Sequence, residues 1–381
     1  MKVYFDNAST TPLLPEVKDE MTRVINDSFG NPSSIHFFGR QSKSLVEEAR
    51  KNIAKGINAS TGEIFFTSGA TEANNMALLC AIRDLGVERI ISSPTEHHCI
   101  LHTLDYIIQK NLAVVEYLSV DQFGNIDLPE LELKLKDSNA KTMLSLMHAN
   151  NEIGTIHDIE AIASICEKNN TLFHCDTAQT IGKFPIDVQS VKINFLSGAP
   201  HKFFGPKGVG FLYVSNDAMI KPLFHGGSQE RGLRSGTENI YGIAGMAKAF
   251  EIALKEMKAR KVYVTELSTY FKQRMINELT DIRFNGNSES QLYNIVSVSF
   301  PPSEKAELLM MNLDIAGISA SAGSACSSGV ESDSHVLQAI GHDPARKTVR
   351  FSFSHFNTIE EVDFVIESMK HITPSVYDGV S

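Results

Sequence analysis

The stretch Leu196-Ser-Gly-Ala-Pro-His-Lys-Phe-Phe-Gly-Pro-Lys-Gly-Val-Gly-Phe211 decides how the chain is read. An apolar segment, Ile193 to Leu196, has the character of a strand. It runs into small residues, then one lysine, then Gly205-Pro-Lys-Gly208. Glycine and proline stop regular structure and hold backbone in tight turns. Lys202 therefore leaves a strand end into a cramped loop. A lysine amine that is partly desolvated loses basicity and can form a Schiff base. Read alone, Lys202 serves as well as a solvated loop lysine. Its company elsewhere in the chain has to decide.

Outward from this stretch, apolar strands and helices alternate. Strands are expected over Glu63–Thr67, Arg89–Ser92, Ala113–Leu118, Thr142–Met147, Thr171–Cys175, Ile193–Leu196 and Gly210–Val214. Helices are expected over Pro15–Phe29, Gly39–Lys55, Ala70–Leu85, Cys99–Lys110, Leu128–Lys136 and Ile159–Lys168. Such alternation implies a mostly parallel sheet covered by helices on both faces. From Glu238 to about Leu279 the residues are good helix formers, read as one or two long helices connecting two domains. Beyond Asn285-Gly286-Asn287 the style becomes α+β. Strands are expected at Ile295–Phe300, Ile318–Ser321 and Val349–Ser354, and helices at Ser303–Leu313, His335–Ile340 and Ile359–Lys370.

Bulk properties narrow the function. The chain has 381 residues, 42% hydrophobic content and a net charge of −10. It contains no basic run, so direct nucleic-acid binding is not expected. No apolar stretch reaches the length of a membrane span, and the first residues lack a signal peptide's apolar core, so a cytoplasmic protein is expected. Five cysteines with no Cys-x-x-Cys pair argue against a disulfide framework and a zinc knuckle. Cys80, Cys166 and Cys175 read as small buried hydrophobes. Cys99, after two histidines, is left open.

Several motifs carry possible chemistry. Gly69-Ala-Thr-Glu-Ala-Asn74 follows a strand and opens a helix, whose first N–H groups suit a phosphate or simply make a capped turn. Asp176 ends a strand, as a ligand-facing residue does, and would serve equally as an N-cap over Thr177 to Thr180. Thr95-Glu-His-His98 and His148-Ala-Asn-Asn-Glu-Ile-Gly154 add histidines and amides. Arg234-Ser-Gly-Thr-Glu-Asn239 could bind phosphate through Gly236-Thr237 or cap the long helix. Ile318 to Glu331 is full of small residues, with Cys326 among them, an odd place for a structural cysteine. Arg350 could clamp an amino-acid carboxylate or form a structural ion pair.

Taken together and in order, from Tyr4-Phe-Asp-Asn-Ala-Ser-Thr-Thr-Pro12 to Val349-Arg-Phe-Ser352, these motifs resemble the cysteine desulfurases of the class V aminotransferase group. The resemblance implies an α/β, fold type I, aminotransferase-like architecture. A large domain, 13–257, would hold a mostly parallel seven-stranded sheet, and a small α+β domain would comprise 1–12 and 258–381. It implies pyridoxal 5'-phosphate, with Lys202 as the Schiff-base lysine, Asp176 on the pyridine nitrogen and His97, not His98, against the ring. Gln179 and Asn151 would face the ring oxygen, with Asn151 also touching substrate. Ala70, Thr71 and His201 would bind the phosphate, and Thr237 would reach the neighbouring subunit's cofactor in a homodimer. Arg350 would hold the carboxylate of L-cysteine, and Cys326 would take its sulfur as a persulfide. Acceptors would be an iron–sulfur scaffold protein or a tRNA-thiolation enzyme. The chain departs from the pattern at Ala199, where relatives carry a phosphate-binding serine; either Ser197 reaches in, or the backbone and Thr71 suffice. Selenocysteine lyase, or another class V aminotransferase or lyase, is the alternative activity.

Overall fold

Continuous apolar runs mark the central strands, as expected where both faces are covered. The structure, a computed structural model, describes residues 1–136, 140–322 and 334–373. A short strand β1 (Val3–Tyr4) precedes helices α1 (Pro15–Asp27) and α2 (Phe37–Gly56). Pro15 sits at the start of α1, where its missing N–H costs nothing. The helix α2 starts two residues earlier than expected because His36 caps it, accepting from Gly39 N.

Alternation then follows as β2 (Ile64–Thr67), α3 (Ala70–Leu85), β3 (Arg89–Ser92), α4 (His98–Gln109), β4 (Val114–Tyr117) and α5 (Leu128–Lys136). It continues as β5 (Thr142–Met147), α6 (Ile159–Lys168), β6 (Leu172–Asp176), β7 (Phe195–Gly198) and β8 (Gly210–Val214). Among the described residues these strands form a seven-stranded sheet in the order β2-β8-β7-β6-β5-β3-β4. Only β8 runs against its neighbours. The carboxyl ends of β2, β3, β5, β6 and β7 therefore share one edge, the edge at which ligands bind in open α/β sheets. A side chain at Gly210 would place its Cβ 2.6 Å from Gly69 Cα. Glycine here lets β8 press against the turn that opens α3.

A buried ion pair ties three elements together. The Arg50 guanidinium of α2 donates through both terminal nitrogens to Glu230, at 2.8 and 2.9 Å. It also donates to Ile64 O, while Phe66 N donates to Glu230 at 2.7 Å.

The single helix α7 (Ile240–Glu278) spans 39 residues. Its first half packs with α1 and α2 beside the large sheet, and Val264, Leu267, Phe271 and Met275 enter a second core. That core is closed by β9 (Arg283–Asn285), β10 (Ile295–Phe300), α9 (Leu309–Ile315), β11 (Ile318–Ser319), β13 (Lys347–Ser352) and α11 (Ile359–Ile372), while α8 (Glu304–Glu307) and β12 (Ser321–Ala322) flank it and α10 (His335–Ala339) packs Val336 against Ile153 instead. Four of these strands make an antiparallel sheet, β12-β13-β10-β9, among the described residues. The helix expected over Ser303–Leu313 is broken at Leu308 into α8 and α9. The strand expected over Ile318–Ser321 is split: β11 pairs with β1, and β12 with β13. Two-residue strands leave no periodicity to read, which is why β1 escaped sequence analysis.

Candidate active site

Five loops leaving the shared sheet edge enclose a cavity of about 500 Å³. Ala70, Thr71, His97, Asn151, Asp176, Gln179, His201 and Lys202 all line it. They come from five separate loops, and the parallel topology is what brings them to one place.

Lys202 projects from the turn after β7. Its ammonium donates to the carbonyls of Ala8 at 2.5 Å and Ser9 at 2.9 Å. The N-terminal segment thus crosses from the second core to the cavity, and Ser9 and Thr10 line it. Sequence reasoning gave these residues no role. The small polar run Asn7-Ala-Ser-Thr10 after an apolar strand was the available signal.

Asp176 stands at the carboxyl end of β6. Its Oδ2 accepts from Asn74 Nδ2 at 2.7 Å, and its Oδ1 from Ala178 N at 2.9 Å. Asn74 Oδ1 faces His174 Nε2 at 3.0 Å, and His174 Nδ1 faces Ser145 Oγ at 2.9 Å. An amide oxygen only accepts, so His174 carries its proton on Nε2 and Ser145 donates to Nδ1. Burial pushes His174 down to about 4, so it is neutral. This buried chain orients the Asp176 carboxylate towards the cavity.

His97 caps α4, its Nδ1 accepting from Cys99 N at 3.2 Å. Burial lowers its proton affinity, against the pull of Asp176. Its ring is therefore neutral with the proton on Nε2. His201 is likewise neutral: burial, then the charge of Lys202, push it down to about 4. Gln179 donates from Nε2 to Ala8 O at 3.0 Å.

Cys99 and Lys207 also line the cavity. Burial pushes the Cys99 thiol up to about 12, so it is no thiolate at neutral pH. It is a lining group and not a second nucleophile. Cys80, Cys166 and Cys175 are buried, as expected of small hydrophobes.

Three expected residues lie elsewhere. Ser197 does not replace the serine missing at Ala199. Its hydroxyl is fully buried within β7 with no partner among the described residues, while Ala199 itself lines the cavity. Alternation along the strand turns its side chain away from the cavity. Thr237 is exposed and outside this chain's own cavity. Arg350, 2% exposed on β13, stands behind the wall. It donates to Asn151 O at 2.7 Å, Ser9 Oγ at 2.6 Å and Asp6 Oδ1 at 2.8 Å, and its buried Nε has no partner among the described residues. Cys326 lies outside the described residues.

Next to Arg350, Glu152 accepts from Ser334 Oγ at 2.5 Å. Burial pushes its carboxyl from 4.5 up to about 7, against the Ser334 bond and the Arg350 charge. The folded state therefore binds a proton that the unfolded chain releases earlier. Stability from this group is present below pH 4.5 and is lost as pH rises to about 7. Glu152→Gln should remove that dependence. Its stability relative to the parent should rise from pH 5 to pH 8 by about 2 kcal/mol. Urea melts across that range measure it, and parallel curves would refute the assignment.

The family model described as aminotransferase class-V matches residues 3–365. The chain belongs to this family. It is 41% identical over 375 residues to cysteine desulfurase IscS of Dictyoglomus turgidum, covering 97% of this chain and 94% of that protein. It is 42% identical over 378 residues to cysteine desulfurase IscS of Methanosarcina thermophila, covering 97% and 91%. A solved NifS-like protein superposes with a TM-score of 0.90 at 38% identity, covering 98% of this chain and 99% of that one. Class V members depend on pyridoxal 5'-phosphate, and the residues present fit that group. The start of α3 offers N–H donors, a Cβ on Gly69 beside them would meet nothing within 4 Å, and amine and carboxylate face one cavity.

Proposed function

We infer that this chain is a pyridoxal-phosphate-dependent cysteine desulfurase. It converts L-cysteine to L-alanine and passes the sulfur to an enzyme cysteine. The observation that carries this reading is the likeness, over nearly the whole chain, to relatives named for that activity.

When bound, the cofactor supplies a protonated ring that accepts electron density from the substrate. The chain's own residues do the rest. Lys202 would hold the cofactor aldehyde and, once displaced by the substrate amine, move a proton at the substrate Cα. Asp176 would keep the ring nitrogen protonated, and its bonds from Asn74 and Ala178 fix it for that task. His97 would lie against the ring, with Gln179 and Asn151 towards the ring oxygen. Ala70, Thr71 and neutral His201 would take the phosphate, His201 by donating an N–H. Arg350 would donate to the substrate carboxylate in place of one of its present acceptors. Cys326 as thiolate would attack the substrate sulfur. The C–S bond breaks, an S–S bond forms, and Cβ takes the electron pair and then a proton.

Homodimer formation, cytoplasmic residence and delivery of persulfide sulfur to iron–sulfur scaffold or tRNA-thiolation proteins belong to the same proposal. An exposed apolar group, Phe29, Ile35, Phe37 and Phe38, supports a self-associating face, and exposed Thr237 is free to reach a partner. The division into 13–257 and 1–12 with 258–381 is supported by the two cores that α7 joins.

The test is to add cysteine to cofactor-loaded protein and to its Cys326→Ser variant. Stoichiometric alanine and one added sulfur on Cys326 are expected from the parent, and loss of turnover from the variant. Absence of alanine from the parent would remove the assignment.

A further inference from the structure

The turn that carries His97 joins β3 to α4 and is held from two sides. From the sheet, Met147 N at the end of β5 donates to Glu96 Oε1 at 2.7 Å, and Asn150 Nδ2 donates to Thr95 O at 2.9 Å. From the other side comes α10, the five-residue helix that packs away from the second core. Its first residue, His335, donates from Nε2 to Glu96 O at 2.8 Å. A carbonyl only accepts, so the His335 proton sits on Nε2. Its buried Nδ1 is then bare, with no partner among the described residues. The His335 and His98 rings lie 4.5 Å apart between centroids.

The same helix grips a second turn of the site. Its cap, Ser334, donates from Oγ to Glu152, next to Asn151, and Val336 packs against Ile153. Both Ser334 and Glu152 are buried. Within that turn, Asn150 Oδ1 accepts from Glu152 N at 2.8 Å and Ile153 N at 3.0 Å. One short helix therefore braces the turns that carry His97 and Asn151. The chemistry above uses neither contact.

Glu96 O belongs to the same peptide unit as His97 N. That unit is planar and stiff, so a bond to its oxygen fixes the backbone from which the His97 side chain springs. The ring's own bond, Nδ1 accepting from Cys99 N at 3.2 Å, depends on that backbone. We propose that His335 is a positioning residue for His97: its bond to Glu96 O holds the peptide before His97, and so holds the ring in one orientation with its proton on Nε2. The consequence for catalysis rests on the reading of His97 as the residue against the cofactor ring. The hold on His97 does not.

The first measurement is long-range proton–nitrogen NMR on the full chain, freed of cofactor and labelled with ¹⁵N at histidine. In the parent the two His97 ring nitrogens should give well-separated signals, one bare and one protonated. In His335→Leu they should draw together as the second tautomer becomes populated. His335→Gln, which keeps an N–H donor, should leave them apart. Signals unmoved in the Leu variant overturn the proposal. So does movement of the His174 signals alongside them, which would show a general loosening. If the Leu variant does not fold, His335→Ala carries the same readings. The second measurement is turnover of cysteine by the loaded protein. His335→Leu should lower it roughly tenfold, and should lower it no further in a His97→Ala background, because one residue acts through the other. Losses that multiply would overturn the proposal. If His97→Ala alone leaves turnover unchanged, the reading of His97 fails, and the NMR signals still decide whether His335 holds it.

Discussion

Lys202→Ala should cut alanine formation from cysteine by about 10³-fold or more, while the protein stays folded. The side chain removed donates to Ala8 O and Ser9 O at the wall of a roomy cavity that opens to solvent. Water can replace it there, so the stability loss should be about 1 kcal/mol. The catalytic loss is of another order, because among the described residues no other amine lines the cavity in the same place. Lys207 enters from further along the loop, and Lys183 lines only a second, smaller cavity of about 30 Å³. Alanine assays beside thermal melts separate the two effects. Turnover within tenfold of the parent would show that Lys202 is not the reacting amine.

The largest stability effect is expected far from that cavity, at Glu230→Ala. Glu230 and Arg50 have side chains 2% exposed and form a two-pronged ion pair at 2.8 and 2.9 Å. Taking away the carboxylate leaves the guanidinium buried, with half-exposed Glu47 at 3.1 Å and Ile64 O as the remaining acceptors and the Phe66 ring 4.6 Å away. It also leaves Phe66 N, inside β2, without its partner. Removing one member of a buried pair costs about 3–5 kcal/mol, and the remaining Glu47 bond places the loss here at about 3 kcal/mol. Denaturant melts should show it as a lowered midpoint. The double variant Arg50→Met with Glu230→Ala should recover part of the loss, since no unpaired charge remains. A single variant within 1 kcal/mol of the parent would contradict this account.

The architecture was legible where periodicity is long. Strands such as Thr142–Met147 and helices such as Ala70–Leu85 appear with the expected bounds. The parallel order of the sheet then explains why residues separated by more than a hundred positions, Thr71 and Lys202 among them, meet at one edge. What could not be read were features that exist only in three dimensions. The Ala8 and Ser9 carbonyls are polar groups of every residue, and no side-chain pattern marks them as partners for Lys202. Ser197 was offered as a substitute ligand on sequence distance alone, and the strand's alternation turns it inward. His335 opens a five-residue helix, and its bond to Glu96 O, 239 positions away, is visible only in the fold. The Asn74–His174–Ser145 chain behind Asp176 joins three elements and has no linear signature.

The central claim is that one amine, on Lys202, holds the aldehyde of pyridoxal 5'-phosphate. Borohydride reduction of the cofactor-loaded protein, followed by peptide mapping, tests it most directly. The expected result is a stable pyridoxyl adduct on the peptide containing Lys202 and on no other lysine. An adduct on Lys207 or Lys183 instead, or none at all, would contradict it.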